Sequence, residues 1–357
     1  MEFETYAYDH ILGALYGHAL GDAWAMPAYF RPEQTWEHFN GWINELSPAP
    51  SDHPLHAGLQ AGQVTDDTQL AMALAQTIIA NGQITVEGAA GAIVAWYDQL
   101  DGDNSPLVDP GIRRAVAALK AGADPGLTGL DCNTNSGAMS ITSIGLIHAG
   151  NPDAAIQDAI IACTPTNFTN VAIAGACAVA AAVAQAVSPN TTLEQIVDIA
   201  IHGAEVGLQY GTPWLGASVA RKIEFAVQMA VEGGLSERDR LQNLYDLVGS
   251  TLSVADTVPC AFGVLVMTNG NPVETAIYAA TLSGKADTVG AIAGAIAGAW
   301  QTAGVIPLEY VETLRQANPQ YNFEEIAKGL CGIALKNYQA APPSGGDSLA
   351  SLLDELQ

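Results

Sequence analysis

The chain has 357 residues, of which 49% are hydrophobic and only 7% are aromatic. This length allows one large core or two smaller ones, and a core of Ala, Leu, Ile and Val suits packed helices better than a β-sandwich. The net charge of −25, with only 12 Lys and Arg residues, excludes a basic groove for nucleic acid and a polybasic membrane-binding patch. The acidity predicts a strongly solvated surface, although an acidic face for a particular partner stays open.

The cysteines and the chain start indicate the compartment. The five cysteines are scattered and form no CxxC pair, which argues against a disulfide framework and against structural zinc. The first residues, MEFET, are acidic and lead into no apolar segment, so we predict no signal peptide. The apolar runs 171–187 and 289–300 are predicted to be buried helices, because the first is mostly alanine and the second is too short to cross a bilayer. We expect a cytoplasmic protein without a membrane partner, and we make no prediction of its oligomeric state.

Helical periodicity recurs along the chain, whereas strand signals are weak throughout. Gly- and Pro-rich joints separate the periodic segments. The predicted helices cover residues 11–20, a segment that begins at 69, 85–100, 110–121, 136–148, 152–162, 171–186, 192–206, 218–232, 236–248, 272–282, 288–303 and 308–317. We therefore predict an all-α fold with a single domain over residues 1–340, followed by a linker and a short helix (348–356) within residues 341–357.

One predicted helix carries glycines at a fixed spacing. Gly290, Gly294 and Gly298 are four residues apart and therefore lie on one helix face. Because glycine has no side chain, the backbone of a neighbouring helix can approach that face closely. The spacing predicts a tightly packed central helix.

Acidic residues at the starts of two helices are the main chemical signal. Residues 65–68 read Thr-Asp-Asp-Thr, and Asp287 and Thr288 open the glycine-rich helix far downstream. Adjacent carboxylates repel each other unless a cation or a proton lies between them, and carboxylate and hydroxyl oxygens are the ligands that Mg²⁺ and Mn²⁺ prefer. The pattern predicts a metal site built from both segments. Taken alone, residues 65–68 also fit an ordinary helix N-cap with an acidic first turn.

The polar residues of the N-terminal segments have less specific interpretations. Residues 36–63 form the longest irregular stretch, which fits either a loop over the site or a passive surface loop. Within it, His53 and His56 could form a transition-metal pair, but no third ligand is near in sequence, and we expect both to be exposed to solvent. We expect His18 to be a core histidine, and Asp22, which follows Gly21, to serve a turn or a helix cap.

Four segments resemble, in order and spacing, motifs of the ADP-ribosylglycohydrolase family, which includes the dinitrogenase-reductase-activating enzyme. Together they extend over roughly residues 8–315, and the set is more specific than any single motif. They are the opening helix GALYGHALGD (13–22), the first metal motif GQVTDDT (62–68), the phosphate-contacting segment NSGAM (135–139) with Ile144-Gly145, and the second metal motif GKADT (284–288) with the helix segment AGAIAG (293–298).

The resemblance implies an all-α, orthogonally packed helical fold and a glycosidase that uses Mg²⁺ or Mn²⁺, as one or two ions. It implies cleavage at C1″ of a ribose. The implied metal ligands are Thr65, Asp66, Asp67, Asp287 and Thr288, and the implied catalytic residues are Asp66 and Asp67. The implied substrate-binding residues are Asn135, Ser136, Gly137 and Met139. We also expect Tyr29 and Lys285 to contact the substrate.

Three positions depart from the family pattern. Lys285 stands where the typical second metal motif has an aspartate, Tyr29 stands where many members have a glutamate, and Ser140 stands where an arginine is usual. Because an ammonium reverses the charge of a carboxylate, Lys285 could replace a second cation by pairing with Asp67 or Asp287. A site with a single metal ion, or with none, then becomes compatible with the sequence.

The sequence therefore predicts a metal-dependent hydrolase that cleaves a ribosyl glycosidic bond, most simply that of an ADP-ribosyl adduct. The substrate would be a small molecule or a ribosyl group linked to a protein. Two alternatives stay open: a hydrolase of a smaller, nucleoside-like ribosyl compound, and a non-catalytic binding or structural relative with an altered metal site.

Overall fold

The computed structural model describes residues 2–340, and within that range it contains helices and no β-strand. The helices are α1 (Glu2–Ala25), α2 (Pro32–His38), α3 (Asp66–Asn81), α4 (Val86–Gln99), α5 (Pro110–Lys120), α6 (Ser136–Met139), α7 (Thr142–Ile147), α8 (Pro152–Cys163), α9 (Asn170–Ala186), α10 (Leu193–Gly207), α11 (Val219–Ala230), α12 (Glu237–Asn243), α13 (Val254–Met267), α14 (Pro272–Leu282), α15 (Ala286–Gln301), α16 (Leu308–Ala317) and α17 (Phe323–Ala340). A π-helical turn, Leu244–Val248, follows α12 directly. The predicted all-α class is confirmed. The predicted helix at 348–356 lies outside the described residues.

Helices α1 and α15 form the centre of the fold and contact each other backbone to backbone. A Cβ atom built on Gly294 would lie 2.2 Å from the carbonyl oxygen of Gly17, and one built on Gly290 would lie 2.3 Å from that of Gly21. The two helices are antiparallel, since Gly298, near the end of α15, contacts Gly13, in the first half of α1. The prediction that the glycine face of α15 admits a neighbouring backbone is confirmed. The pairing also places the end of α1 beside the start of α15.

Most predicted helices agree with the structure to within a few residues, and the differences have local causes. Helix α1 continues to Ala25, so Asp22 lies inside a helix and not after one. The predicted helix 136–148 is divided into α6 and α7, where the hydroxyl of Ser140 donates to the carbonyl of Ser136 and competes with the helical ladder. Helices α2, α13 and α17 were not predicted from the sequence. Pro259, inside α13, is a residue that usually interrupts helices.

One large apolar cluster draws buried residues from helices along the whole described chain, from Ala7 to Ala334. Helix α9 is nearly all buried, and most of its length is alanine. A second, smaller cluster lies between α3, α4 and α5 and includes Leu70, Trp96 and Met139. Within residues 2–340, no helix combines the length and the apolar character that a membrane span requires.

Candidate metal and substrate site

Asp66 and Asp67 are the first two residues of α3, and Thr65 is its N-cap. The side chain of Thr65 accepts a hydrogen bond from the backbone N–H of Asp67, as expected where a helix start leaves N–H groups unpaired. All three residues are buried, Asp66 with 5% exposure and Asp67 with none. Two adjacent buried carboxylates go beyond what an ordinary cap requires, because burial without a partner disfavours the charged form.

Asp22 of α1 fixes the start of α3. Its Oδ2 atom accepts hydrogen bonds from the backbone N–H of Thr65 (2.9 Å) and Thr68 (3.2 Å) and from the hydroxyl of Thr68 (2.6 Å). Its Oδ1 atom accepts one from the hydroxyl of Thr65 at 2.8 Å. Burial raises the pKa of Asp22 to about 7, although these hydrogen bonds oppose the shift. The expected role in a turn or cap next to Gly21 was wrong, since Asp22 lies inside α1. Asp22 instead caps α3, a helix that is far from it in sequence.

Asp287, in the first turn of α15, meets the α3 residues from the other side. Lys285 Nζ lies 3.0 Å from its Oδ2 atom, and His56 Nε2 lies 3.6 Å from the same oxygen. One ligand atom from each of His56, Asp66 and Asp287 can be chosen so that all three lie within 4.8 Å of one another. The fold therefore brings together the two acidic segments, as the sequence predicted, and it adds a histidine.

The three carboxyl groups of this cluster differ in the direction in which their pKa values are shifted. Burial raises the pKa of Asp66 to about 6, with Lys285 opposing the shift, and it raises that of Asp67 well above its usual range, assisted by Asp287. Burial also acts on Asp287, but Lys285 and then His56 outweigh it and lower its pKa. Burial alone would lower the pKa of Lys285, yet the three carboxylates raise it. A single ammonium thus faces three buried carboxylates.

Several buried polar atoms of the cluster have no hydrogen-bond partner among the described residues. They are Asp66 Oδ1, Asp67 Oδ1, Thr288 Oγ1 and His56 Nε2. A buried polar atom left unpaired costs about 1–3 kcal/mol, so four in one place indicate a missing partner. Carboxylate and hydroxyl oxygens with one imidazole nitrogen are ligands for divalent cations. The residues present therefore fit a divalent metal ion. The predicted ligands Thr65, Asp66, Asp67, Asp287 and Thr288 lie at the starts of α3 and α15, and their role as ligands stays a prediction.

The expectation that His53 and His56 are exposed was wrong, since each is only 4% exposed. Their loop folds back on the residues that follow α1: His56 Nδ1 lies 2.8 Å from the carbonyl oxygen of Met26, and His53 Nε2 lies 2.9 Å from that of Ala28. The other nitrogen of His53 accepts from the backbone N–H of His56. His53 therefore has both nitrogens occupied, and His56 is the site residue that the sequence analysis missed. His18 is fully buried, as expected of a core histidine.

A cavity of about 430 Å³ opens beside the carboxylates. Asp66 and Lys285 form part of its wall, and most of the remaining wall is apolar. The other lining residues are Phe30, Leu55, Pro106, Leu107, Val108, Asp109, Pro110, Tyr245, Ser250, Thr251, Leu252 and Gly284. Apart from Phe30, these residues carried no site signal in the sequence, because they come from separate segments that meet only in the fold.

The predicted phosphate-contacting segment lies beside this cavity without lining it. The amide of Asn135 donates to the hydroxyl of Thr257, and its backbone N–H donates to the carbonyl of Leu252 on the cavity wall. Ser136 donates to Asn167. A Cβ atom on Gly137 would lie 3.1 Å from side-chain atoms of Asn167 and Cys163. These residues and Met139 are buried, so the segment supports the cavity wall through Leu252.

The hydroxyl of Tyr29 donates a hydrogen bond to the exposed carboxylate of Asp52 at 2.6 Å. Burial and the hydrogen bond to Asp52 raise the pKa of Tyr29 to about 12. Its carbonyl oxygen accepts from the backbone N–H of Gly284, which holds the α1–α2 connection against the segment that carries Lys285. The neighbouring Phe30, not Tyr29, lines the cavity.

Comparison with known proteins identifies the family. Residues 4–340 match the family model described as ADP-ribosylglycohydrolase. The chain is 30% identical to the uncharacterized protein YegU of Escherichia coli strain K12 over 324 residues, which cover 90% of this chain and 96% of that protein.

Two further relatives agree with this match. ADP-ribosylarginine hydrolase Tri1 of Pseudomonas putida strain GB-1 is 26% identical, over 86% of this chain and 74% of that protein. A solved structure described as an ADP-ribosylglycohydrolase-related protein complex has the same fold, with a TM-score of 0.66 at 22% identity over 92% of this chain and 99% of that one. The chain therefore belongs to the ADP-ribosylglycohydrolase family.

Proposed function

We propose that this family member is a hydrolase that needs a divalent metal ion, Mg²⁺ or Mn²⁺ in the simplest case, and cleaves the ribosyl glycosidic bond of an ADP-ribosyl adduct. The observation that carries the proposal is the meeting of Asp66, Asp67 and Asp287 around unpaired buried oxygens, beside a cavity large enough for a ligand. The relative named as an ADP-ribosylarginine hydrolase supports the substrate class.

The carboxylates can supply the chemistry that glycoside cleavage needs. The reaction passes through an oxocarbenium-like state, which a nearby carboxylate stabilises while a base activates water. A bound divalent ion would orient the ribose hydroxyls and lower the pKa of a water molecule. Asp287, held by Lys285, stays charged in the folded protein and so offers a fixed negative charge next to the reacting ribose.

The positions of Asp66 and Asp67 suggest a division of roles. Asp66 lies on the cavity wall, where its carboxylate can reach a bound substrate or an attacking water. Asp67 has no exposed surface and lies within hydrogen-bonding distance of the hydroxyl of Thr65. We assign both aspartates to holding the metal ion, and Asp66 in addition to positioning and deprotonating the attacking water.

The cavity wall favours a second candidate, a nucleoside-like ribosyl compound. Among the described residues, Lys285 is the only basic one on the wall, which also carries Asp66 and Asp109. Arginine is the usual partner of phosphate because of its bidentate geometry, and no arginine within residues 2–340 lines this cavity. The rings of Phe30 and Tyr245 and the side chain of Leu107 offer an apolar surface for a base. An uncharged N-riboside would avoid the carboxylates of the wall.

A release assay tests both candidates. Metal-free protein would be supplied with Mg²⁺, Mn²⁺ or chelator and given ADP-ribosyl-arginine and a set of purine and pyrimidine ribonucleosides. Release of ADP-ribose supports the first candidate, and release of free ribose from a nucleoside supports the second. In both cases chelator and Asp66→Ala should abolish release, whereas Asp52→Ala, the loss of a surface carboxylate, should not. A folded protein that releases neither product from any compound would be a non-catalytic relative.

A further inference from the structure

His56 presents an unpaired nitrogen to the carboxylate cluster. A backbone carbonyl can only accept a hydrogen bond, so the 2.8 Å contact with Met26 places the hydrogen of the neutral ring on Nδ1. The lone pair then lies on Nε2, which is buried and has no hydrogen-bond partner among the described residues. That lone pair lies 3.6 Å from a carboxylate oxygen of Asp287. Two electron-rich atoms facing each other in a buried site need a positive group between them.

The ring of His56 is held in this orientation from two sides. The Met26 carbonyl fixes one edge, and the ring of His53 stacks on its face with centroids 4.8 Å apart and planes 7° from parallel. His53 is itself fixed by Ala28 and by the backbone N–H of His56. A hydrogen bond from the remote nitrogen to a carbonyl is the usual way in which proteins orient a metal-binding histidine.

The distances suit a single ion. Ligands bound to one ion at about 2.0–2.2 Å lie at most about 4.4 Å apart, and suitable atoms of His56, Asp66 and Asp287 already lie within 4.8 Å of one another. A small rotation of these side chains would shorten the distances between the ligand atoms from at most 4.8 Å to the separation that one bound ion requires. The ammonium of Lys285 lies 3.0 Å from Asp287 Oδ2, the same oxygen that His56 Nε2 approaches.

We infer that His56 Nε2 is a metal ligand together with Asp66 and Asp287, and that this nitrogen makes the site prefer divalent transition-metal ions such as Co²⁺, Fe²⁺ or Zn²⁺ to Mg²⁺. Imidazole binds such ions well, whereas Mg²⁺ strongly prefers oxygen. The inference deepens the proposed function, on which it rests, because it names the class of ion that the site selects.

Metal binding tests the inference without any assay of activity. Calorimetric titration of the metal-free protein should give a Co²⁺ affinity at least about tenfold higher than the Mg²⁺ affinity. In the protein loaded with Mn²⁺ as a spectroscopic probe, pulsed electron paramagnetic resonance should detect coupling to one histidine nitrogen. This signal is measured in the unaltered protein, so it does not depend on whether a variant folds.

Two variants complete the experiment. His56→Ala should lose the nitrogen coupling and about tenfold or more of the Co²⁺ affinity, while its Mg²⁺ affinity changes much less. His202→Ala, which removes a half-exposed histidine of α10, should behave like the unaltered protein. Bound Mn²⁺ without nitrogen coupling, or no metal binding at all, would overturn the inference. Nitrogen-coupled metal in a protein that cleaves no ribosyl compound would support the His56 assignment and overturn the proposed hydrolase function instead.

Discussion

Lys285 Nζ lies 3.0 Å from Asp287 Oδ2, and the lysine side chain is only 12% exposed. The ammonium thus sits inside the carboxylate cluster, at the sequence position where the family motif usually has an aspartate. From the sequence, Lys285 was expected to replace a second cation by pairing with Asp67 or Asp287, and in the structure it pairs with Asp287. A buried positive charge at this place repels a metal ion that would bind beside it.

Replacing Lys285 with aspartate should therefore create a second metal site. Lys285→Asp removes the ammonium and adds a carboxylate beside Asp287, so the bound metal should rise from one ion per chain to two. Elemental analysis of the dialysed protein, together with calorimetric titration, measures the stoichiometry. Lys285→Met is the matched control, because it removes the same charge without adding a ligand and should keep one ion. An unchanged stoichiometry in Lys285→Asp would contradict the idea that the ammonium takes the place of a cation.

Asp22 should contribute to stability by capping α3. In Asp22→Ala, the backbone N–H groups of Thr65 and Thr68 lose their buried acceptor, and we expect the free energy of unfolding to fall by about 2–4 kcal/mol. Asp22→Asn should cost less, because its carbonyl oxygen can still accept from both N–H groups while the hydroxyl of Thr65 reverses its role. Denaturant unfolding measures the free energy of unfolding of both variants. The metal-free protein is used, so that a change in stability cannot come from lost metal binding.

The control for this series is Asp9→Ala, which removes an exposed carboxylate from the same helix. We expect it to change the free energy of unfolding by less than about 0.5 kcal/mol. If Asp22→Ala unfolded at the same denaturant concentration as Asp9→Ala, the hydrogen bonds from Asp22 to the start of α3 would contribute no net stability.

The half-exposed ring of Phe30 lines the apolar wall of the cavity and is expected to contact the substrate. Phe30→Ala should raise KM about tenfold and leave kcat nearly unchanged, because the lost contact binds the substrate and its transition state equally. Steady-state kinetics on whichever compound the release assay identifies measure the two constants. Phe225→Ala, which removes an equally exposed phenylalanine of α11, should alter neither. If Phe30→Ala changed neither constant, the substrate would bind away from this wall.

The acidic segments could be predicted because each carries its signal in a few adjacent residues. Thr65 followed by two aspartates indicates a helix start, and neighbouring carboxylates imply a cation by a charge argument that needs no tertiary structure. The glycine spacing of α15 likewise indicates a close helix pair. The sequence could not say that α1 is the partner helix, nor that Asp22 would reach the start of α3.

His56 could not be predicted as a site residue, because its burial depends on contacts between distant segments. Its loop folds onto the carbonyl groups that follow α1, and no local pattern in a Pro-rich stretch indicates that return. The same reason applies to Asn135 and Ser136. Their partners, Thr257 and Asn167, lie far along the chain, so the motif did not reveal the hydrogen bonds that hold these side chains.

The close pairing of α1 and α15 predicts that Gly294 tolerates no side chain. The new Cβ of Gly294→Ala would lie 2.2 Å from the backbone oxygen of Gly17, and a backbone cannot rotate away as a side chain can. We expect a loss of at least about 3 kcal/mol in the free energy of unfolding, and a weaker metal affinity because α1 and α15 carry Asp22 and Asp287. Gly91→Ala is the control: nothing lies within 4 Å of its Cβ position in α4, so it should stabilise the protein by about 0.5–1 kcal/mol. Denaturant unfolding compares the two variants, and equal stability of Gly294→Ala and the unaltered protein would mean that the helices can separate without cost.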